Sequence, residues 1–549
     1  YSLPGNPKPA HDPASASVNG AVIEKPNKKC FNGFLHVMSQ VVYLLPNMAE
    51  ELQANDSTKI YSAIIERFSA PTYVRGERTN RDQNIRSMIA NPNSKISQAV
   101  KDAMDASNDS VYVKKYLSQR ANPSSGNGGS GNASPFQTDV WGNNLLTTNE
   151  LLKFDPGWNS LLPPSSNEAA IALQEDIAVM FVPTDGPLKD WWLNGVGAKL
   201  RERYGDPELK GRTDLSTEEV IKDMKGIPLG VIVELVNNNM QNSLISSIPS
   251  KFGTVLDDAQ DPFFGNKTTR DQAERTISDV AMCCNGAIYF TNKVYTPTAY
   301  KSVSYPVLVN EKLKIINWAV KDVKLAYKAY LNSTVAEYSF FVPVIDTVGT
   351  FDGKLVWIDP ASFYLKKYKT TDPLGSIKAL AFSYGKYGGK ETVMADVYNF
   401  NDTTGQFTPT GETLRANDGS STEDNATKFI RNRLLDLMDY HIVIGEVEAD
   451  SVPQVTIGGK KYSYFKTKGG GTIRFKNSAT FGDITDMEVA GGWQLENEGQ
   501  PDEVQRPVTI IERVDLNKKT SKSDGNGRTY IINRPLLPSR LSVYDGVSD

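Results

Sequence analysis

The chain has 549 residues, which is enough for three or four domains of about 150 residues each. Hydrophobic residues make up 39% and charged residues 23% of the sequence, as is ordinary for a globular protein. The 60 basic residues nearly balance the 64 acidic ones, and the net charge of −4 argues against nucleic acid as a partner. No run of 18 or more apolar residues occurs, so the sequence predicts no membrane-spanning helix.

A short apolar strand that begins with Asn-Gly and ends near a proline occurs three times along the chain. The copies begin at Asn32-Gly33, Asn285-Gly286 and Asn526-Gly527. A repeated turn and strand indicates an array of one module, and each copy marks the end of a module. Successive glycines of the copies are 253 and 241 residues apart, which predicts two full modules behind one partial module.

The positions of the copies divide the chain into three parts. Residues 1–47 would be the last part of a truncated module, because the first copy comes too early to close a complete one. Residues 48–303 and 304–549 would be full modules, and further modules could follow. A Gly/Ser-rich stretch at 123–135 is typical of a flexible insertion within the first full module. Because Tyr1 begins without a signal peptide or a lipidation cysteine, we expect the chain to be a piece of a longer protein.

Each full module begins with helical patterning and then reaches a strand that ends in Val-Pro. Apolar residues recur at helix spacing in the stretches 48–52, 60–65 and 313–320. The strands end at Val182-Pro183 and Val342-Pro343, because proline donates no hydrogen bond to a strand ladder. Thr184 and Asp185 follow the first of these strands and offer side-chain oxygens that can cap a helix.

The sequence contains no pattern typical of a catalytic, cofactor or metal site, and we predict none. The histidines His11, His36 and His441 are far apart along the chain, and three cysteines cannot build a disulfide framework. A Ser-His-Asp site repeated in every module would need a histidine that residues 48–303 lack. We therefore expect His36 and His441 to be packed residues, each with one ring nitrogen hydrogen-bonded.

Aromatic residues are the better candidates for binding. Trp191 and Trp192 follow the Pro-Thr-Asp motif on a predicted short helix. Packing of that helix on a sheet is one interpretation, and a sugar-stacking platform or a protein anchor is the other. Four tyrosines that alternate with lysines suggest a solvated surface that could act as a contact face: Tyr364, Tyr368, Tyr384 and Tyr387.

These motifs resemble those of the fasciclin domain family. The strand that begins at Asn32-Gly33 is similar to the strand that ends each domain of that family, and residues 181–185 are similar to its early motif. Tyr440-His441 is similar to its middle motif, whereas Tyr289 and Tyr530 replace the histidine of the closing strand. The resemblance implies an α+β fold of tandem modules, each a β-sandwich or wedge packed with helices and carrying large insertions.

The insertions resemble those of fasciclin-repeat lipoproteins of the Bacteroidota outer membrane. This resemblance implies an extracytoplasmic protein at the cell surface, held by a lipid anchor in an N-terminal part outside this chain. We expect a non-enzymatic binding or adhesion protein that contacts other proteins, in one form as an accessory lipoprotein of an outer-membrane nutrient-uptake transporter. Two alternatives stay open: a glycan-binding surface module, and a hydrolase whose composite site would place His441 beside a nucleophile and a carboxylate.

Overall fold

The computed structural model divides the chain into two compact units. Unit 1 is Tyr1–Val255 with Phe264–Tyr295, and unit 2 is Leu256–Phe263 with Thr296–Asp549. The residues that the structure describes are 17–18, 21–42, 45–73, 83–84, 86–88, 90–91, 95–106, 112–116, 118, 151–157, 177–265, 267–322, 325–344, 355–359, 377–387, 390–400, 407–416, 425–445, 447, 455–457, 460–469, 472–476, 486–489, 508–517, 525–533 and 535–536. Both units combine helices with small sheets, which confirms the α+β class. The three-part division with fasciclin-type modules stays a prediction, and the stretch at 123–135 lies outside the described residues.

Unit 1 contains eight of the helices that we number here. They are α1 (Met48–Ala54), α2 (Lys59–Glu66), α3 (Gln98–Ala106), α4 (Asp185–Asn194), α5 (Gly197–Tyr204), α6 (Thr217–Met224), α7 (Leu229–Asn238) and α8 (Arg270–Arg275). Its strands are β1 (Ser17–Val18), β2 (Ala21–Cys30), β3 (Gly33–Met38), β4 (Ser69–Tyr73), β5 (Tyr112–Tyr116), β6 (Ala178–Pro183), β7 (Met240–Gln241), β8 (Ile277–Cys283) and β9 (Gly286–Thr291).

The central sheet of unit 1 has the strand order β7-β6-β9-β8. Strand β9 is the second Asn-Gly copy, and it forms an antiparallel hairpin with β8. On its other side it pairs in parallel with β6, the predicted Val-Pro strand, from Ala178 opposite Gly286 to Pro183 opposite Thr291. Every residue of β6 and β9 is buried, which explains why both read as continuous apolar runs rather than alternating ones.

Asp185 caps a helix, but not the one that it begins. Helix α4 has no side-chain cap from Thr184. The Asp185 carboxylate instead accepts hydrogen bonds from the backbone N–H groups of Lys59 and Ile60, the first residues of α2, at 3.2 and 2.9 Å. These are N–H groups that a helix leaves without a partner at its start, so the aspartate ties the end of β6 to a helix far away in the sequence.

Unit 2 is built from a second set of elements. Its helices are α9 (Tyr305–Val309), α10 (Lys314–Lys321), α11 (Tyr327–Asn332) and α12 (Asn425–Tyr440). Its strands are β10 (Tyr338–Pro343), β11 (Leu355–Asp359), β12 (Ile377–Tyr387), β13 (Lys390–Phe400), β14 (Phe407–Arg415), β15 (Ile442–Ile444), β16 (Val455–Ile457), β17 (Lys460–Lys466), β18 (Thr472–Lys476), β19 (Asp486–Val489), β20 (Val508–Asn517) and β21 (Asn526–Ile532).

The eight-stranded sheet of unit 2 repeats the parallel pair of unit 1. Its order is β15-β10-β21-β20-β19-β18-β17-β16, beside a separate four-stranded sheet β11-β12-β13-β14. Strand β21, the third Asn-Gly copy, pairs in parallel with the Val-Pro strand β10, from Tyr338 opposite Gly527 to Pro343 opposite Ile532. It also pairs antiparallel with β20. Both β10 and β21 are fully buried, so the core of unit 2 forms around the same arrangement.

Candidate functional site

Trp191 and Trp192 lie in the core of unit 1. Their side chains are 6% and 0% exposed. The indole Nε1 of Trp192 donates a hydrogen bond to Oδ2 of the buried Asp223 at 2.8 Å. The same carboxylate forms an ion pair with Nε of Arg201 at 2.6 Å. The binding role predicted for the two tryptophans does not fit this placement, because neither presents a ring face to a sugar or a protein. Their packing role does fit it.

The predicted tyrosine face is described only in part. Tyr384 lies on β12, half-buried against the core of unit 2, and its hydroxyl donates to Glu391 Oε2 at 3.3 Å. Lys314 Nζ lies 5.8 Å from the centre of its ring. Tyr387 ends the same strand. Tyr364 and Tyr368 lie outside the described residues, so a contact face made of the four tyrosines stays a prediction.

His441 is a fully buried structural residue of unit 2. Its Nε2 accepts a hydrogen bond from the backbone N–H of Leu536 at 2.8 Å, so the ring proton must be on Nδ1. Nδ1 lies 2.6 Å from the carbonyl oxygen of Leu437 and donates to it. Both ring nitrogens are therefore occupied by backbone groups, and neither is free to act as the general base of the hydrolase alternative. The exposed His36 accepts a bond from the N–H of Asn27 at 3.3 Å.

We expect acid to destabilise unit 2 through His441. Burial lowers the pKa of His441 from 6.5 to about 4. Between these values the unfolded chain binds one proton that the folded chain does not, so stability present above pH 6.5 falls as the pH drops toward 4. The expected loss is about 3 kcal/mol. Urea unfolding of unit 2 at several pH values, followed by hydrogen exchange of its peptides, measures it.

The control for this pH effect is the exposed histidine. His36→Gln should leave the pH dependence of unit 2 unchanged, whereas His441→Gln should remove about one proton from the slope between pH 4 and 6.5. Equal slopes in the two variants would contradict the assignment of the titration to His441.

The asparagine of the Asn-Gly pair is a buried anchor in both closed units. In unit 1, Oδ1 of Asn285 accepts from the backbone N–H of Met48 at 3.0 Å, and Nδ2 donates to the carbonyl of Pro156 at 2.9 Å. In unit 2, Oδ1 of Asn526 accepts from the N–H of Val303 at 2.9 Å. Sequence reasoning interpreted this pair only as a turn signal, and the burial of the asparagine was the feature that it missed.

The glycine of the pair is held against the parallel strand. Gly286 has φ 155°, and a Cβ there would lie 2.1 Å from the carbonyl oxygen of Ala178 on β6. Gly527 has φ 146°, and its Cβ would lie 1.9 Å from the carbonyl oxygen of Tyr338 on β10. The two backbones approach so closely that only glycine fits between them.

The first Asn-Gly copy forms a hairpin that nothing described in the structure covers. It consists of β1, β2 and β3 in an antiparallel sheet, and we call residues 17–18 and 21–42 the open hairpin. Asn32 is exposed, and a Cβ added to Gly33 would meet no atom within 4 Å. Five of the six residues of β3 are exposed, whereas every residue of β9 and β21 is buried.

The open hairpin holds much of the exposed apolar surface of the described residues. Sixteen large apolar side chains are exposed there, and eight of them belong to the open hairpin: Val18, Val22, Phe31, Phe34, Leu35, Val37, Val41 and Val42. Phe34 and Leu35 are 64% and 49% exposed. A cluster of this kind is typical of a surface that binds another molecule.

Strand β2 adds positive charge beside these apolar residues. In the register of the hairpin, Lys29 lies opposite Phe34, Lys28 opposite Leu35 and Lys25 opposite Val37. All three lysines are exposed, and Glu24 is the acidic residue of the strand. The open hairpin thus presents an apolar strand next to a basic one.

Comparison with known proteins identifies no relative for the chain. No family profile matches it, and a search of curated proteins finds no significant match. In the described part of the chain, no group of three or more His, Cys, Asp or Glu side chains could hold a metal ion. Of the helices that the structure describes, none has the length and apolar character needed to cross a membrane.

Proposed function

We propose that the chain is a non-enzymatic binding protein of tandem fasciclin-like modules, and that the open hairpin is a surface through which it contacts another protein. The observation that carries this proposal is the exposure of β3. Its residues are as apolar as those of β9, which is buried throughout. Covering a large apolar side chain contributes about 1.5–3 kcal/mol, so a partner that covers Phe34 and Leu35 gains substantially from both.

The setting of this contact is the cell surface. The protein is extracytoplasmic and is held at the outer membrane by a lipid anchor outside this chain, and it works beside an outer-membrane nutrient-uptake transporter. The support for this part is the resemblance of the Asn-Gly and Val-Pro motifs to those of Bacteroidota outer-membrane lipoproteins.

Two charged substitutions in β3 should abolish the contact. We expect Phe34→Asp with Leu35→Asp to reduce recovery of the bound partner more than tenfold, because burying two carboxylates in an apolar interface is unfavourable. The measurement is native purification of the anchored protein from its own membranes, with the partner identified and quantified by mass spectrometry. Because both side chains are exposed in this structure, the substitutions should leave the fold intact.

The matched control places two aspartates at other exposed apolar positions. Ile245 and Val335 are 65% and 75% exposed, and neither belongs to the open hairpin. Ile245→Asp with Val335→Asp should keep the partner at the wild-type level. Equal recovery with both double variants would show that the open hairpin is not the contact surface.

A further inference from the structure

The chain itself shows twice what covers a hairpin of this kind. Strand β9 lies between its antiparallel partner β8 and the parallel strand β6, and β21 lies in the same way between β20 and β10. Strand β3 has the antiparallel partner β2, and no strand among the described residues pairs with its other edge. The open hairpin therefore corresponds to the closed ones with the parallel strand removed.

Gly33 is the most specific sign of the missing strand. In the closed hairpins, the glycine that follows the asparagine is required because the carbonyl of the parallel strand lies about where its Cβ would be. Nothing lies within 4 Å of a Cβ at Gly33, so the open hairpin as it stands places no such demand on this residue. A docked parallel strand would place it.

Asn32 gives a second, independent sign. Its counterparts Asn285 and Asn526 are buried and bind backbone groups from the front of their own modules. Asn32 is exposed, although its side chain has the same acceptor and donors. A module front docked on the open hairpin would bring an N–H group and a carbonyl to this amide.

We propose that the open hairpin closes an incomplete module in a second polypeptide by pairing β3 in parallel with that module's Val-Pro strand. The inference rests on the proposed function and names the chemistry of its partner. That strand is apolar at successive residues and ends in Val-Pro, as β6 and β10 do. It would be covered on its other side by the helices of its own module. Strand addition of this type obtains affinity from main-chain hydrogen bonds and specificity from side-chain fit.

The charges of the two sides agree with this partner. Acidic residues precede the Val-Pro strands of this chain, Glu175-Asp176 before β6 and Glu337 before β10. The open hairpin carries Lys25, Lys28 and Lys29 on β2. A strand with a similar acidic approach would bring opposite charges together, which speeds association and selects the partner.

A labelled peptide tests the proposal with the full chain. The probe is residues 174–184, which contain Glu175-Asp176 and the whole of β6, and its binding is followed by fluorescence anisotropy. We expect saturable binding that falls at least tenfold with Gly33→Ala, because the added Cβ would occupy the place of the strand's carbonyl. A scrambled peptide of the same composition should not bind. Absent binding, or binding unaffected by Gly33→Ala, would overturn the proposal.

Two further measurements separate this proposal from its alternatives. If the native partner is lost with Phe34→Asp and Leu35→Asp but is kept with Gly33→Ala, the open hairpin binds protein without adding a strand, and only the further inference fails. If the chain alone forms a dimer in sedimentation that the same double variant abolishes, the occupant is a second copy, which also overturns it. Urea unfolding of Gly33→Ala should match the wild type and exclude a folding defect.

Discussion

Replacing Gly286 or Gly527 by alanine will destabilise the unit that contains it by more than about 4 kcal/mol. Each glycine has a positive φ, and its Cβ would lie 2.1 or 1.9 Å from a carbonyl oxygen of the neighbouring parallel strand. Relief of that overlap requires β6 to separate from β9, or β10 from β21. Because a domain is stable by only about 5–15 kcal/mol, the affected unit should be largely unfolded or close to it.

Hydrogen exchange measured by mass spectrometry resolves this effect by unit. Gly286→Ala should deprotect the peptides of unit 1, and Gly527→Ala those of unit 2. The matched control is Gly33→Ala, at the same position of the first copy, where no atom lies within 4 Å and a change within about 1 kcal/mol is expected. Normal protection of β6 and β9 in Gly286→Ala would contradict the close approach of the two strands.

Asn285→Ala and Asn526→Ala should each cost roughly 4 kcal/mol, because an unpaired buried polar group costs about 1–3 kcal/mol. The first substitution leaves two backbone groups of unit 1 without a partner. The second leaves three in unit 2, since Nδ2 of Asn526 donates to the carbonyls of both Leu331 and Ser333 at 2.7 Å. The free energy of unfolding in urea, assigned to each unit by hydrogen exchange, measures the loss.

Aspartate at these positions should not restore stability. It keeps the shape of asparagine but has no amide N–H, so its second oxygen would face the carbonyl of Pro156, or those of Leu331 and Ser333. Asn32→Ala is the control, because that asparagine is exposed and should change stability by less than about 0.5 kcal/mol. If Asn285→Ala were as mild as Asn32→Ala, the anchoring role of the asparagine would be wrong.

The local elements were predictable because their signals are local. Helical spacing at 60–65 and 313–320 corresponds to α2 and α10. The Val-Pro strands end at Pro183 and Pro343 as predicted, because a residue without an N–H stops a strand wherever the chain goes next. The apolar runs after Gly286 and Gly527 are strands for a similar reason: their apolar residues need burial on both faces.

The candidate site was less predictable, because it depends on what is and is not nearby in space. Trp191 and Trp192 could equally have been exposed, and the buried carboxylate of Asp223 that pairs with Trp192 is remote in the sequence. The open hairpin looked like the closed ones residue by residue. A repeat pattern reports which strand a segment forms, but it does not report whether the neighbouring strand is present.

The sequence by itself determined the α+β class, the strands that end at Val-Pro and the three strands that begin with Asn-Gly, because apolar patterning, glycine and proline act within a few residues. Only the tertiary structure decided that Gly286 and Gly527 touch a parallel strand, that Asn285 and Asn526 are buried anchors, and that Asp185 caps a distant helix. These contacts join residues about 100 or more positions apart. Gly33 and Asn32 have the same identities without those neighbours, so the same pair closes two modules and leaves a third hairpin open.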